Sequence, residues 1–225
     1  MNHVIIVAGG RGTRMGSATP KQFLTLAGRP VLMHTIDAFV RALPEVQIVV
    51  VLPAGEHGTW QQLCREHRFG VPCVVVSGGQ TRFHSVKHGL DHIAAAGGGA
   101  ADIVGVHDGV RPLVAADVIR RCYAKAARCG AVVPVVPVVE TLRCVAPRAS
   151  HTVERSRYRL VQTPQTFRLD VLARAYAQPW REAFTDDASV VEAMGHAVTL
   201  IDGNRENIKL TTPSDLIVAA ALLRS

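Results

Sequence analysis

Val7-Ala-Gly-Gly-Arg-Gly-Thr-Arg-Met-Gly-Ser-Ala-Thr-Pro-Lys21 is a glycine- and base-rich run that leaves the apolar segment Val4 to Ala8. That segment has the length and β-branched content of a buried strand, so the glycines fall where a strand empties into a loop. Ligands meet α/β sheets at such places. Gly9, Gly10 and Gly12 allow a tight turn whose N–H groups approach an anion unobstructed, while Arg11, Arg14 and Lys21 add positive charge. The loop reads as a phosphate cradle; the alternative is an ordinary strand-to-helix turn with its arginines in water.

Two familiar phosphate loops do not fit. A dinucleotide fingerprint needs its third glycine three positions after the second, with an acidic residue about 20 residues further on. Here Gly16 comes four after Gly12, and Met15 holds the required position. A P-loop needs Gly-Lys-Ser/Thr opening a helix, which is absent. The loop is therefore of a third kind.

The rest of the chain alternates strand and helix. Val31 to Arg41 has helical spacing; Gln47 to Leu52 is a β-branched run of the sort buried in parallel sheets. A helix comes next around Trp60 to His67, then a strand at Cys73 to Ser77, a helix from Thr81 to Ala95 and a strand at Ile103 to His107. A helix over Ala115 to Cys129 leads to a strand at Ala131 to Val136. After a polar interval come helices at Arg168 to Ala177 and Asp186 to Met194, the second capped by Thr185. A strand at Ala197 to Ile201 and a closing helix started by Thr212-Pro213 complete the pattern. This order predicts an α/β domain with a Rossmann-like, mostly parallel sheet and helices on both faces, one domain over residues 1–225. Between Pro137 and Arg157 apolar density falls while β-branched residues persist, which predicts a projecting β-hairpin arm at 137–157. Such a hairpin is an aggregation hazard unless something pairs with it, so a homodimer through the arm is expected.

Composition narrows the partners. The 225 residues are 48% hydrophobic and 19% charged with a net charge of +7, a globular balance with a pull on anions. The bases are scattered with little aromatic interleaving, which argues against nucleic acid and for a focused phosphate pocket. Lysine stands only at positions 21, 87, 125 and 209 in a chain that otherwise uses arginine. The five cysteines, at 64, 73, 122, 129 and 144, lack zinc or disulfide spacing and read as reduced core thiols of a cytoplasmic protein. The longest apolar stretch, Ala131 to Val139, is broken by two prolines, so no membrane span is expected.

Two further strand ends carry chemistry. Ser77-Gly-Gly-Gln-Thr-Arg82 opens a helix whose free N–H groups, with Arg82 and Ser85, suit a ribose, a phosphate or a base edge; a capped helix start is the plain alternative. Asp108, in Val106-His-Asp-Gly-Val-Arg-Pro112, stands just past a buried strand, the usual station of a Mg²⁺ ligand that shares its ion with substrate phosphates. His107 reads as structural.

Together, Ala8-Gly-Gly-Arg-Gly-Thr-Arg-Met15, Pro20-Lys-Gln-Phe23, Gly78-Gly-Gln-Thr-Arg82 with Ser85, His107-Asp-Gly-Val-Arg-Pro112, Thr163-Pro-Gln165, Thr185-Asp-Asp-Ala-Ser189 and Asn207-Ile-Lys-Leu-Thr211 resemble the 2-C-methyl-D-erythritol 4-phosphate cytidylyltransferases. The resemblance runs along nearly the whole chain in order. It implies a nucleotidyltransferase fold, a homodimer and a reaction of CTP with 2-C-methyl-D-erythritol 4-phosphate in non-mevalonate isoprenoid synthesis. By position it implies Arg14 and Lys21 as transition-state stabilisers, and Arg155 and Lys209 as residues that place the acceptor phosphate. Ala8, Gly9, Gly10, Gly12, Gly79, Arg82 and Ser85 would form the CTP pocket, Asp108 would serve nucleotide and Mg²⁺, and Thr141 would act with Arg155 across the dimer. The chain departs from the family at Gly9, where a second Ala is frequent, and at Gly109-Val110, where Ala-Ala is frequent. A sister enzyme acting on ribitol 5-phosphate and a non-catalytic nucleotide-binding module are the competing expectations.

Overall fold

The computed structural model describes residues 1–10 and 19–224. Strand β1 (Asn2–Val7) lies inside an eight-stranded sheet, flanked in parallel by β4 (Gln47–Leu52) on one side and β6 (Ile103–Asp108) on the other. Between β1 and β4 run a two-residue ladder, β2 (Thr25–Leu26) with β3 (Arg29–Pro30), and helix α1 (Val31–Ala42). Helix α2 (His57–Glu66) leads to β5 (Val74–Ser77), parallel to β4 at the sheet edge, and α3 (Arg82–Ala95) leads to β6. Helix α4 (Ala116–Cys129) then delivers β7 (Ala131–Pro137).

Alternation along β1 explains the two layers. Val4 and Ile6 pack with Leu32, Met33, Ile36 and Phe39 of α1 and with Val118, Ile119 and Cys122 of α4. Ile5, pointing the other way, packs with Phe83, Val86, Leu90 and Ile93 of α3. The latter face also carries α5 (Leu169–Tyr176) and α6 (Asp187–Glu192). A strand covered on both faces needs apolar side chains at every position, which is why Val4 to Ile6 reads as an unbroken run.

The second half holds the main departure from expectation. The return segment contains two strands: β10 (Arg159–Val161), antiparallel to β7, and β11 (Gln165–Arg168), antiparallel to both β6 and β7 and inserted between them. A cis Thr163–Pro164 bond lies between the two. Sequence reading misses β11 because its buried residues are Gln165, Thr166 and Phe167, two of them polar, and the Gln165 amide is satisfied by distant partners rather than signalled by alternation. Gln165, for instance, donates to Asp186 and accepts from the Ala188 N–H, each at 2.8 Å. Strand β12 (Thr199–Asp202) pairs in parallel with β7, and α7 (Pro213–Leu222) closes the chain.

Asp186, not Thr185, caps α6. Its Oδ1 accepts from the Ser189 N–H at 2.9 Å, and a carboxylate favours a helix N-terminus over a hydroxyl one residue earlier. Helix α2 begins at His57, three residues before the expected Trp60, because a short 3₁₀ turn at Ala54–Glu56 feeds straight into it. Only Cys122 of the five free cysteines is buried, and Cys144 is exposed on the hairpin, so the reading of all five as core thiols is corrected. That hairpin is β8 (Arg143–Ala146) with β9 (Ala149–Thr152), and all eight of its strand residues are exposed. Among the described residues no helix is long and apolar enough to cross a membrane.

His107 is structural, as expected. Fully buried in β6, it has Nδ1 3.0 Å from Thr163 Oγ1 and Nε2 3.1 Å from the Arg111 carbonyl oxygen, and burial lowers its pKa to about 4. Below the ordinary histidine value of about 6.5 the unfolded chain takes up a proton that the native state refuses until about pH 4. Stability from this group is therefore complete above about pH 6.5 and lost as pH falls to about 4, on the order of 3 kcal/mol. Thermal unfolding across that range should show the decline, and a His107→Gln variant should show a shallower one.

Candidate active site

Parallel strands β1, β4, β5 and β6 end in register: Val7 pairs with both Val51 and Asp108, and Leu52 with Ser77. Their carboxyl ends form the floor of a cleft of about 630 Å³, lined by Ala8, Gly9 and Gly10 after β1, Pro53 after β4, Gly78 and Gly79 after β5, and Asp108 ending β6. Lys21 and Lys209 line the same cleft from opposite ends of the chain. A second lobe of about 190 Å³ adjoins it, lined by Arg111, Gln162, Thr163, Gln165, Thr185 and Asp186 among others. Arg82, Asp108 and Lys209 belong to both lobes and form their seam.

The first lobe is shaped by close backbone approach. A Cβ on Gly79 would stand 2.4 Å from the His84 Cβ, so only glycine fits between β5 and α3. The Gly79 N–H donates to Ser85 Oγ at 3.1 Å, and Ser85 Oγ donates to the Thr81 carbonyl at 3.0 Å, which braces the turn. Thr81 caps α3 by accepting from the His84 N–H. The capped helix start thus exists and lines the cleft at once. Gly109, a departure from the family pattern, would carry a Cβ 2.8 Å from that of Ala8, so glycine lets β6 lie tightly against the first loop. On the other wall the Lys21 ammonium lies 3.4 Å from where a Cβ on Gly10 would be, against the glycine turn.

Charge concentrates at the seam. Asp108 Oδ2 receives Arg111 Nε at 3.0 Å and Lys209 Nζ at 3.1 Å. Burial alone would raise the Asp108 pKa; the charges of Lys209, Arg82 and Arg111 override it and hold the carboxyl well below the usual range. Arg82 is bound in bidentate fashion to fully buried Asp187, at 2.9 and 2.6 Å, and Tyr176 donates to the same carboxylate at 2.6 Å. Arg111 also donates to the Asn207 carbonyl at 2.8 Å, and Asn207 Nδ2 to the Thr163 carbonyl at 2.8 Å, so the segment that carries Lys209 is pinned to the link between β10 and β11.

A divalent ion suits this carboxylate. Asp108 ends β6 at the seam of the two lobes, where a carboxylate can share an ion with bound phosphates. Mg²⁺ is commonly held by one or two carboxylates together with substrate phosphates and water. Among the described residues no group of three or more His, Cys, Asp or Glu side chains gathers into a protein cage, so an ion at Asp108 would depend on the substrate for most of its shell.

Of the residues expected from sequence, Ala8, Gly9, Gly10, Lys21, Gly79, Arg82, Ser85, Asp108 and Lys209 come together in the first lobe. Arg14 and Gly12 lie outside the described residues. Thr141 and Arg155 are exposed on the arm and line neither lobe of their own chain; Arg155 instead donates to the Val139 carbonyl. Sequence reading missed the seam's buried partner Asp187 and the second-lobe residues Arg111 and Gln162. Arg111 and Asp187 sit inside the quoted motifs, but their ties span up to 105 positions and leave no local signal.

The family model for 2-C-methyl-D-erythritol 4-phosphate cytidylyltransferase matches residues 2–225. The protein of that name from Bacteroides thetaiotaomicron is 57% identical over 220 residues, 98% of each chain. One from Porphyromonas gingivalis is 53% identical over 225 residues, 99% of this chain and 98% of that one. The crystal structure of 2-C-methyl-D-erythritol 4-phosphate cytidylyltransferase from Thermus thermophilus superposes over all of both chains with a TM-score of 0.79 at 34% identity. Sequence and overall fold agree along the whole length, and the chain belongs to the 2-C-methyl-D-erythritol 4-phosphate cytidylyltransferase family.

Proposed function

We propose that the cleft transfers the cytidylyl group of CTP to 2-C-methyl-D-erythritol 4-phosphate, giving 4-diphosphocytidyl-2-C-methyl-D-erythritol and pyrophosphate in non-mevalonate isoprenoid synthesis. The observation that carries this reading is the seam: a large lobe with a glycine turn and Lys21 and a smaller polar lobe share Arg82, Asp108 and Lys209. Nucleotide in the first lobe and polyol phosphate in the second would meet there.

The chemistry asks for charge rather than a base. A phosphate monoester, with a second pKa of about 6, is already largely dianionic at neutral pH. One of its oxygens attacks the α-phosphorus of CTP in line, the new P–O bond forms, the bond to the β-phosphate bridging oxygen breaks, and pyrophosphate leaves. Two anions must be brought together while negative charge grows on the α-phosphoryl and leaving oxygens, so positioning and positive charge lower the barrier. Lys21 neutralises the triphosphate from the glycine turn, with Arg14 in the same role. Lys209 and Arg82 stand where charge builds, and Arg111 keeps further N–H donors for the acceptor phosphate. Asp108 would hold Mg²⁺, which when bound supplies charge neutralisation to the nucleotide's phosphates.

Purified protein given CTP and Mg²⁺ should release pyrophosphate with 2-C-methyl-D-erythritol 4-phosphate and not with ribitol 5-phosphate. Preference for ribitol 5-phosphate, or CTP binding with no release in either case, would overturn the assignment.

The arm completes the site from a second copy. Val139, Val145, Tyr158, Leu160 and Val161 are all exposed on the arm and its root, Val145 at 78%, although such residues favour burial. Gel filtration with light scattering at micromolar concentration should give a dimer, and a monomer alone would refute the arm's role. If Arg155 acts in the partner's site, mixing and refolding inactive Arg155→Ala and Lys209→Ala chains should restore about a quarter of wild-type activity, since half the dimers are mixed and each holds one intact site.

A further inference from the structure

Three amide oxygens are buried without a hydrogen-bond partner among the described residues: Gln22 Oε1 and Gln162 Oε1, whose residues line the larger and the smaller lobe, and Asn207 Oδ1, whose residue lines neither. Two of these side chains are framework by their nitrogens, since Gln162 Nε2 donates to the Asn204 carbonyl and Asn207 Nδ2 to that of Thr163, each at 2.8 Å. Gln22 has neither tie among the described residues. It is 1% exposed, comes directly after Lys21 in the 3₁₀ turn Lys21–Phe23, and lines the larger lobe. The turn itself is fixed, because Phe23 donates its N–H to the Pro20 carbonyl at 2.9 Å and stacks with Trp60 at 6.2 Å.

A fully buried amide oxygen without a donor is unfavourable, and native chains keep few of them. Among the described residues no hydrogen bond of this side chain calls for a polar group here. Phosphate oxygens cannot satisfy an acceptor, whereas a nucleoside offers neutral donors in its ribose hydroxyls and exocyclic amine. We propose that Gln22 is a nucleotide-binding residue whose amide oxygen accepts a hydrogen bond from the nucleoside part of the bound triphosphate. This rests on the larger lobe being the CTP lobe, as proposed above. The oxygen is buried in the ligand-free chain, so the side chain turns into the lobe as the nucleoside binds.

The test is Gln22→Met in the full chain, which removes the amide and keeps the shape. An unpaired buried polar group replaced by an apolar one is neutral or stabilising, so the Tm without ligand should stay level or rise. Calorimetric CTP affinity should fall about three- to tenfold, while pyrophosphate affinity and the KM for the acceptor phosphate stay unchanged. Gln22→Leu should behave alike and guards against an effect of the thioether. A Tm drop of several degrees with CTP affinity intact would make Gln22 framework, and equal weakening of CTP and pyrophosphate would make it a phosphate contact; either result overturns the proposal. Failure of the wild-type protein to bind CTP would instead strike the assignment of the lobe.

Discussion

Lys209→Ala is expected to lower kcat about 10²- to 10³-fold, about 3 to 4 kcal/mol of transition-state stabilisation, with the protein still folded. Lys209 Nζ sits 3.1 Å from Asp108 Oδ2 at the junction of the two lobes. Its side chain is 42% exposed, so the ammonium keeps protons for substrate while one is engaged. Asp108 retains Arg111 Nε at 3.0 Å after the substitution and stays partly compensated. Lys209 is open to water, but Asp108 is buried and loses the largest of the charges that offset its burial, so Tm should fall by a few degrees while the fold persists. The loss should appear in kcat more than in the KM for CTP, because the interaction strengthens as charge moves onto the reacting phosphoryl group. Lys209→Arg restores the charge on a planar, bulkier head and should recover only part of the rate. A Lys209→Ala enzyme with more than about a tenth of wild-type kcat would show that the seam's charge is supplied elsewhere.

Much of the cleft around Lys209 is legible in the sequence because its signals are local. Apolar runs mark the parallel strands, and the residues next in line mark their ends: glycines after Val7 and Ser77, a carboxylate at Asp108. Since ligands gather at the carboxyl ends of such strands, Ala8, Gly79 and Asp108 can be placed at a site from the string of residues alone. Lys209 enters through the family motif rather than periodicity. The illegible part is whatever the chain settles at long range. Gln165 and Thr166 are polar, yet buried in β11, because β6 and β7 take their backbone while Asp186 and Ala188 take the Gln165 amide. Asp187 looks like a second acidic residue at a helix start. Only the folded chain shows it with no exposed surface, locked to Arg82 across 105 positions. Gln22 stands beside Lys21 with no role readable from its neighbours, since an orphaned oxygen is a property of the fold, not of the string.

That Asp187–Arg82 pair carries the second large effect. Removing one member of a buried ion pair leaves its partner uncompensated, and Asp187→Ala is expected to destabilise by about 3 to 5 kcal/mol, or roughly 8 to 15 °C in Tm for a chain of this size. Both Arg82 bonds at 2.9 and 2.6 Å are lost, and the Tyr176 hydroxyl, buried and donating at 2.6 Å, loses its acceptor. Asp187→Asn keeps one acceptor and should cost less. Heat or urea unfolding measures both, and a loss under about 1 kcal/mol would mean that water reaches the pair and screens it. Arg82→Met combined with Asp187→Leu separates stability from function. Well-packed apolar residues often replace a buried pair at no net cost, so the double variant should regain much of the lost stability, less the unpaired Tyr176 hydroxyl. It should not regain turnover, because the guanidinium at the seam is gone. If activity returned with stability, the pair would be a packing element alone, and Arg82 would have no part in holding the reacting phosphates.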